Sequence, residues 1–240
     1  MFRPLTFRLF VIRFLLFGVL ATSLLRCSSP CSDCAPAATG AEFFPLKEGA
    51  FVEYDVQEQA FALGQAAVVR SYQWKELIAE KYQDITGQTA YRIVRFRRAN
   101  DTQRWQADST ITLRLGIDQA VRNENGRDYV KMLFPVYEKA TWNGNVYNNL
   151  GEDKYELKNV GKPFKVGTQS FERTATVIQQ NDSTLVDQNR RIEVYAADVG
   201  LVYRESINLQ FCSSSPACVG KGQVDFGLRQ YVRFKRAGVE

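Results

Sequence analysis

The chain has 240 residues, a formal net charge of +5 and no histidine. Without histidine, neither a Ser-His-Asp nor a Cys-His nucleophile system can be built, and zinc sites that use histidine are excluded as well. The positive charge does not indicate nucleic-acid binding, because four arginines and no acidic residue precede Cys27, which leaves residues 27–240 nearly neutral.

The N-terminal segment predicts a secretory signal. Arg3, Arg8 and Arg13 form a basic region, and Phe14 to Leu25 is an apolar run of 12 residues. A helix that spans a membrane needs about 20 mostly apolar residues, so this run is too short to span one. We therefore assign residues 1–26 to a signal peptide that is removed on export.

The end of this segment, Leu24-Leu25-Arg26-Cys27, resembles the lipobox of bacterial lipoproteins. Arg26 departs from that motif, which has a small residue immediately before the cysteine. The resemblance implies that Cys27 carries a lipid and becomes the mature N-terminus, which would anchor the protein to a membrane facing the periplasm or the cell surface. The alternative is a secreted protein with a cysteine-rich N-terminal tail.

The five cysteines, Cys27, Cys31, Cys34, Cys212 and Cys218, are an odd number for an exported protein. If Cys27 carries lipid, the other four can form two disulfides in an oxidising compartment. A short loop between two predicted strands favours a bond between Cys212 and Cys218, and Cys31 with Cys34 is the possible second disulfide. Bonds between the two groups remain an alternative.

The mature chain divides into a tether and one domain. Residues 27–41 are rich in Ser, Ala and Pro, which is the composition of a flexible tether. Residues 42–240 are enough for a single domain that buries roughly 70% of the surface of its unfolded chain. The domain therefore needs no disulfide framework to form a core.

Apolar residues alternate with polar residues through most of this domain, which predicts half-buried β-strands. Turn signals such as Asn125-Gly126 separate the strands and are typical of antiparallel hairpins. We expect a mostly β fold of roughly ten strands, as an antiparallel curved sheet or a barrel-like sandwich. The clearest alternation lies in residues 51–56, 68–78, 110–115, 192–196 and 226–235.

A weak internal repeat suggests two similar halves in the domain. Phe44-Pro45 matches Phe134-Pro135, and Tyr72 to Lys75 matches Tyr155 to Lys158 in the same order along the chain. Chance matches between turn and strand residues explain the pattern nearly as well, so duplication and coincidence both stay open.

Charged residues within the strands have two interpretations. Two carboxylates suffice for a glycosidase, and Glu53, Asp55, Glu76 and Glu80 lie on predicted strands. The simpler interpretation places acidic residues on the solvated faces of strands. A run of arginines between apolar residues is also expected to be a strand with one solvated face; it comprises Arg92, Arg95, Arg97 and Arg98.

The segment Trp142-Asn143-Gly144-Asn145 is the most distinctive polar-aromatic cluster. A tryptophan can stack on a sugar while amides bind its hydroxyl groups, which makes Trp142, Asn143 and Asn145 candidate ligand contacts. The structural alternative is a turn at Asn-Gly with the tryptophan covering the core.

The stretches FFPLKEGAFVEY, FPVYEKATWNGN and VGLVYRES, with the late cysteine pair, resemble a group of uncharacterised exported lipoproteins of Gram-negative bacteria. This resemblance implies no activity, substrate, metal or cofactor. We therefore expect a lipid-anchored, non-catalytic cell-envelope protein that binds a ligand or partner with its β domain. The alternatives are a carrier of lipid-like ligands with an apolar cavity and a carboxylate-dependent glycosidase.

Overall fold

The computed structural model describes residues 39–240, which form one short 3₁₀ helix (Ala41–Phe43) and twelve β-strands. The strands are β1 (Ala50–Phe61), β2 (Val68–Gln83), β3 (Thr89–Arg98), β4 (Gln106–Leu115), β5 (Gln119–Glu124), β6 (Arg127–Leu133), β7 (Thr141–Asn143), β8 (Lys154–Val166), β9 (Gln169–Ser183), β10 (Asp187–Ala196), β11 (Gly200–Phe211) and β12 (Val224–Val239). None of the helices in this part of the chain is long and apolar enough to cross a membrane.

The mostly antiparallel β fold is confirmed, but the strand number is twelve rather than roughly ten. Alternation could not reveal β7, which has only three residues, Thr141–Asn143. Nor did it reveal the short β5 and β6, which form a hairpin around Asn125-Gly126, where both residues have positive φ angles.

All twelve strands belong to one sheet, in the order β6-β5-β4-β3-β2-β1-β12-β11-β10-β9-β8-β7. Within each half, each strand pairs with its neighbours in the chain, and the pairing of β1 with β12 joins the two halves, so β6 and β7 are the edge strands. The sheet curves until its edge strands approach each other. The Val130 N–H donates to the Gly144 carbonyl at 2.9 Å, and the Trp142 indole N–H donates to the Val130 carbonyl at 2.8 Å. The sheet is therefore nearly closed.

The matched motifs occupy corresponding places in the two halves. Phe44 precedes β1 and Phe134 precedes β7, while Tyr72 lies in β2 and Tyr155 in β8, the second strand of each half. The rings of Phe44 and Phe134 also contact each other, with their centroids 6.2 Å apart. Each half contributes six strands to the sheet.

The segment before β1 covers one end of the sheet, which we call the capped end. Phe43 and Phe44 are buried there, and the ring of Phe44 lies 5.1 Å from that of Tyr195. The Asp198 N–H, between β10 and β11, donates to the Glu42 carbonyl at 2.8 Å and fixes this segment to the sheet. The apolar core inside the sheet includes Tyr54, Ile93, Leu113, Met132, Leu157 and Val177.

Candidate functional site

A set of buried and half-buried charges lies on the inner face of the sheet. Side chains two apart on a strand share a face, so Glu76 faces inward with Ile78, and Arg95 faces inward with Ile93. Four cations and three carboxylates from six strands make up this set, which we call the charged layer. Its members are Glu76, Arg95, Arg122, Glu124, Lys131, Glu193 and Arg204.

Glu76 joins two strands through one carboxylate. Its Oε1 accepts from Arg95 Nη2 at 2.6 Å and from Arg122 Nη2 at 2.7 Å. Burial alone would raise the pKa of Glu76, but the guanidinium groups of Arg122 and Arg95 outweigh burial and lower this pKa to about 2. Glu76 is therefore ionised at neutral pH.

The other two carboxylates of the charged layer are held in the same way. Glu124 Oε1 lies 2.6 Å from Arg122 Nε. Glu193 accepts from Lys131 Nζ at 2.9 Å and from the Tyr195 hydroxyl at 2.7 Å. Burial opposes ionisation of both, yet the neighbouring cations, above all Lys131, lower the pKa of each carboxyl. All three carboxylates are thus charged.

Lys131 enters the layer through an irregularity in β6. Ala120 pairs with Met132 and Val121 pairs with Val130, so Lys131 is the extra residue of a β-bulge. A bulge redirects a side chain that strict alternation would place on the other face. Val130 and Met132 are core residues, and Lys131 is nevertheless buried between them.

The expectation that acidic residues serve solvated faces is wrong for Glu53 and Glu76, which are both buried. They also face opposite sides of the sheet, since Glu53 pairs with Lys75 whereas Glu76 pairs with the core-facing Val52. Glu53 accepts from Arg236 Nε at 2.9 Å. The other two glycosidase candidates, Asp55 and Glu80, are exposed, so the four do not form one site.

The arginine run is also distributed over both faces rather than one. Arg95 belongs to the charged layer, whereas Arg92 lies on the outside and donates from Nε to Glu80 at 3.0 Å. Arg98 donates to Gln73 Oε1 at 2.6 Å. The expectation of a strand with a single charged, solvated face is therefore wrong for β3.

A polar cleft of about 230 Å³ opens onto the charged layer, on the side of the β5–β6 turn. This turn lies at the end of the sheet opposite the capped end. Residues from β5, β6 and β8 to β12 line the cleft, among them Lys131, Tyr155, Gln179, Arg191, Glu193, Arg204 and Gln230.

Two buried donors at this cleft make no hydrogen bond: Gln179 Nε2, and Arg204 Nε, which lies 3.8 Å from Glu193 Oε1. Gln179 as a whole is 9% exposed. Arg191, by contrast, is satisfied by Asp153, whose carboxylate oxygens lie 2.8 and 2.9 Å from Nη2. Buried polar groups are normally hydrogen-bonded, so the cleft has unsatisfied donors.

Of the candidate contacts, Trp142 and Asn143 are the last two residues of β7, and Asn145 lies in the tight turn that follows. The Trp142 ring is buried and packs 5.8 Å from that of Tyr155. Asn143 Oδ1 accepts from the Asn145 N–H at 2.9 Å and from the Asp153 N–H at 3.0 Å. These are structural contacts, and a ligand contact at this turn stays a prediction.

The glycine of this turn is required by its surroundings. A Cβ atom on Gly144 would lie 2.2 Å from the ring of Tyr155, a residue that is 1% exposed. No side chain fits at that distance, so Gly144 allows the turn to cover the core closely.

Cys212 and Cys218 form the predicted disulfide across the loop between β11 and β12, with their Cα atoms 5.7 Å apart. Cys27, Cys31 and Cys34 lie outside the described residues, so the lipid attachment and the second disulfide stay predictions. Within residues 39–240, no three Cys, Asp or Glu side chains come together as a metal-binding group.

Sequence reasoning missed Arg122, Lys131, Gln179, Glu193 and Arg204 as site residues. A usable signal is a charge enclosed by apolar neighbours, as in Val130-Lys131-Met132 and Ile192-Glu193-Val194. A charge there is buried with its neighbours and therefore needs a partner.

No protein-family model matches the chain, and no curated protein matches it. Two solved structures are similar over 82% of this chain and 98% of their own. One is a predicted exported protein with a YmcC-like fold from Bacteroides fragilis, with 9% identity and a TM-score of 0.37. The other is a predicted lipoprotein from Parabacteroides distasonis, with 11% identity and a TM-score of 0.32. Similarity at this level identifies neither a family nor a function for the chain.

Proposed function

We propose that this chain is a non-catalytic binding protein of the bacterial cell envelope, and that its polar cleft binds a small anionic ligand. One observation carries the proposal: the cleft contains the buried Gln179 Nε2, which has no hydrogen-bond partner, and Arg204 Nε, which makes no hydrogen bond and lies 3.8 Å from Glu193 Oε1, and it opens onto a layer with one more cation than carboxylates. A ligand with negatively charged oxygen atoms supplies the acceptors that the protein lacks.

The volume of the cleft limits the size of the ligand that it can bind. Pockets for drug-sized molecules measure roughly 300–1,000 Å³, whereas the polar cleft measures about 230 Å³. A single sugar acid, a short dicarboxylate or a phosphate fits this volume, and so does one acidic end of a larger molecule.

The chemistry of the cleft favours this function over the two alternatives. A carrier of lipid-like ligands needs an apolar cavity, but the walls of the cleft are polar and Met132, Leu157 and Val177 fill the apolar core below. A glycosidase needs a carboxyl group with a raised pKa as its general acid. The pKa values of Glu76, Glu124 and Glu193 are all lowered.

The location in the envelope rests on the N-terminal sequence. The signal segment and the lipobox-like Cys27 support a location outside the inner membrane, with an N-terminal lipid as the proposed anchor. The disulfide between Cys212 and Cys218 is compatible with such an oxidising compartment.

Isothermal titration calorimetry with galacturonate, succinate and inorganic phosphate tests the proposed ligand class, with neutral galactose as the matched control for galacturonate. We expect at least one of the three anions to bind, and galactose to bind at least tenfold more weakly than galacturonate. Loss of one hydrogen bond to a charged group costs about 1.5–3 kcal/mol, so Gln179→Met should weaken anion binding roughly tenfold or more.

Two controls make this test specific. Gln179→Met removes an amide with an unpartnered Nε2, so the variant should fold with unchanged or higher stability. Gln210→Met changes an exposed amide on β11 that does not line the polar cleft, and it should bind like the wild type. Failure of all three anions to bind, or wild-type affinity in Gln179→Met, would contradict the proposal.

A further inference from the structure

A second cleft, of about 600 Å³, lies between β2, β3 and β4, and we call it the basic cleft. Four arginines and one acidic residue line it: Arg70, Arg97, Arg98, Arg104 and Asp108. The loop between β3 and β4 contributes Arg104, so this wall of the cleft is built by a hairpin that carries several arginines.

Two of these arginines already have carboxylate partners. Arg70 Nη1 lies 3.1 Å from Glu58, and Arg98 Nη2 lies 2.5 Å from Asp101. Arg97 and Arg104 have no carboxylate oxygen within 4.0 Å among residues 39–240. The basic cleft therefore has two cations available for an external anion.

Arg97 is also held in position. Its guanidinium carbon lies 3.9 Å from the centre of the Tyr72 ring, in a cation–π contact. This contact leaves the N–H groups at the guanidinium edge free to donate, because a cation–π contact uses the face of the group. A positioned arginine loses less conformational entropy on binding an anion than a mobile one.

The basic cleft and the polar cleft share a boundary. Tyr72 lines the basic cleft and Gln230 lines the polar cleft. Gln230 Nε2 donates to the Tyr72 hydroxyl at 3.2 Å and to Glu58 Oε2 at 3.3 Å. The two clefts therefore adjoin at the hydrogen-bonded side chains of Tyr72, Gln230 and Glu58.

We infer that the two clefts bind one elongated ligand that carries at least two anionic groups. The inference rests on the proposed function, because one anionic group occupies the polar cleft. The second anionic group lies at Arg97 and Arg104, whose planar guanidinium groups can each bind a carboxylate, phosphate or sulfate with two hydrogen bonds.

Calorimetric titration with galacturonate and trigalacturonate tests this inference, since the two differ in the number of spaced carboxylates. In the wild type, the trimer should bind at least tenfold more tightly than the monomer. In Arg97→Gln this gain should be lost while the affinity for the monomer stays unchanged. A parallel titration with phosphate and tripolyphosphate distinguishes a phosphate chain from a chain of sugar acids as the source of the anionic groups.

Arg92→Gln is the matched control, because Arg92 lies on the same strand and pairs with Glu80 on the outer face. In this variant the trimer should still bind at least tenfold more tightly than the monomer. The inference is overturned if monomers bind but neither trimer binds more tightly, or if Arg92→Gln reduces the gain as much as Arg97→Gln. If galacturonate, succinate and phosphate all fail to bind, the proposed function itself fails and the inference fails with it; if succinate binds but neither trimer does, the inference alone is overturned.

Discussion

Replacing Glu76 with glutamine tests whether the charged layer is a connected part of the structure. The Glu76 carboxylate contacts the guanidinium groups of Arg95 and Arg122, at 2.6 and 2.7 Å. A glutamine has a similar size but no charge, so Glu76→Gln leaves two largely buried cations without their counterion. The core around the layer is otherwise unchanged.

The expected loss follows from the burial of this cluster. Breaking a buried ion pair by removing one partner costs about 3–5 kcal/mol. The lowering of the Glu76 pKa from 4.5 to about 2 corresponds to about 3 kcal/mol of stability at neutral pH. The two values agree, so we expect Glu76→Gln to lower the free energy of unfolding by about 3 kcal/mol.

Urea denaturation followed by circular dichroism measures this change, and Glu80→Gln is the matched control. Glu80 lies on the same strand and pairs with Arg92 at 2.8 Å, but the two side chains are 49% and 48% exposed. An exposed ion pair contributes about 0–1 kcal/mol. If the two variants lost the same free energy within about 1 kcal/mol, the charged layer would not be buried and paired as described.

Four further predictions concern pH, packing and the cysteines. Stability should fall as the pH decreases from about 4.5 to about 2, because over this range the Glu76 carboxyl takes up its proton in the unfolded chain before the folded one; urea denaturation at stepped pH measures this. Gly144→Ala should cost about 1–3 kcal/mol through overpacking, measured as a lowered melting temperature. Replacing both Cys212 and Cys218 with serine should cost roughly 2 kcal/mol, because the closed loop is short, and non-reducing peptide mapping should recover the bond in the wild type. Cys27→Ser should abolish labelling of the protein by a fatty-acid probe in cells.

Each of these predictions has a result that contradicts it. If the free energy of unfolding changed with pH equally in the wild type and in Glu76→Gln, Glu76 would not contribute to the loss of stability in acid. Gly116→Ala places a Cβ at an ordinary 3.4 Å from its nearest neighbour, so equal losses in the two glycine variants would exclude overpacking. Recovery of Cys212 bonded to Cys31 would refute the predicted pairing, and persistent label in Cys27→Ser would refute the lipid site.

The curved sheet is predictable from the sequence because its long strands alternate regularly. Val52, Tyr54 and Val56 all pack into or against the core, as their spacing implies. Alternation fails where a strand is too short to show it, as in β7, or where a bulge shifts a residue to the other face, as at Lys131. Short strands and bulges therefore explain why some strands, and part of the candidate site, were not predicted from the sequence.

The charged layer could not be predicted because its partners are distant in the chain. Arg122 is 46 residues from Glu76, and Lys131 is 62 residues from Glu193. Within a single strand, each of these residues is one charge among apolar residues. The most common environment of a charged side chain is solvent. The closure of the sheet brings the opposite charges together, and their mutual neutralisation makes burial tolerable.

The central claim is that an anion enters the polar cleft and accepts a hydrogen bond from Gln179. The nuclear magnetic resonance signal of the Gln179 side-chain amide tests this claim most directly. In ¹⁵N-labelled protein this signal is identified by its absence from Gln179→Met. Titration with the anion that binds most tightly in calorimetry should move the signal with the same dissociation constant, while the signal of the exposed Gln210 stays in place. A Gln179 signal that does not move while the calorimeter reports binding would contradict the account.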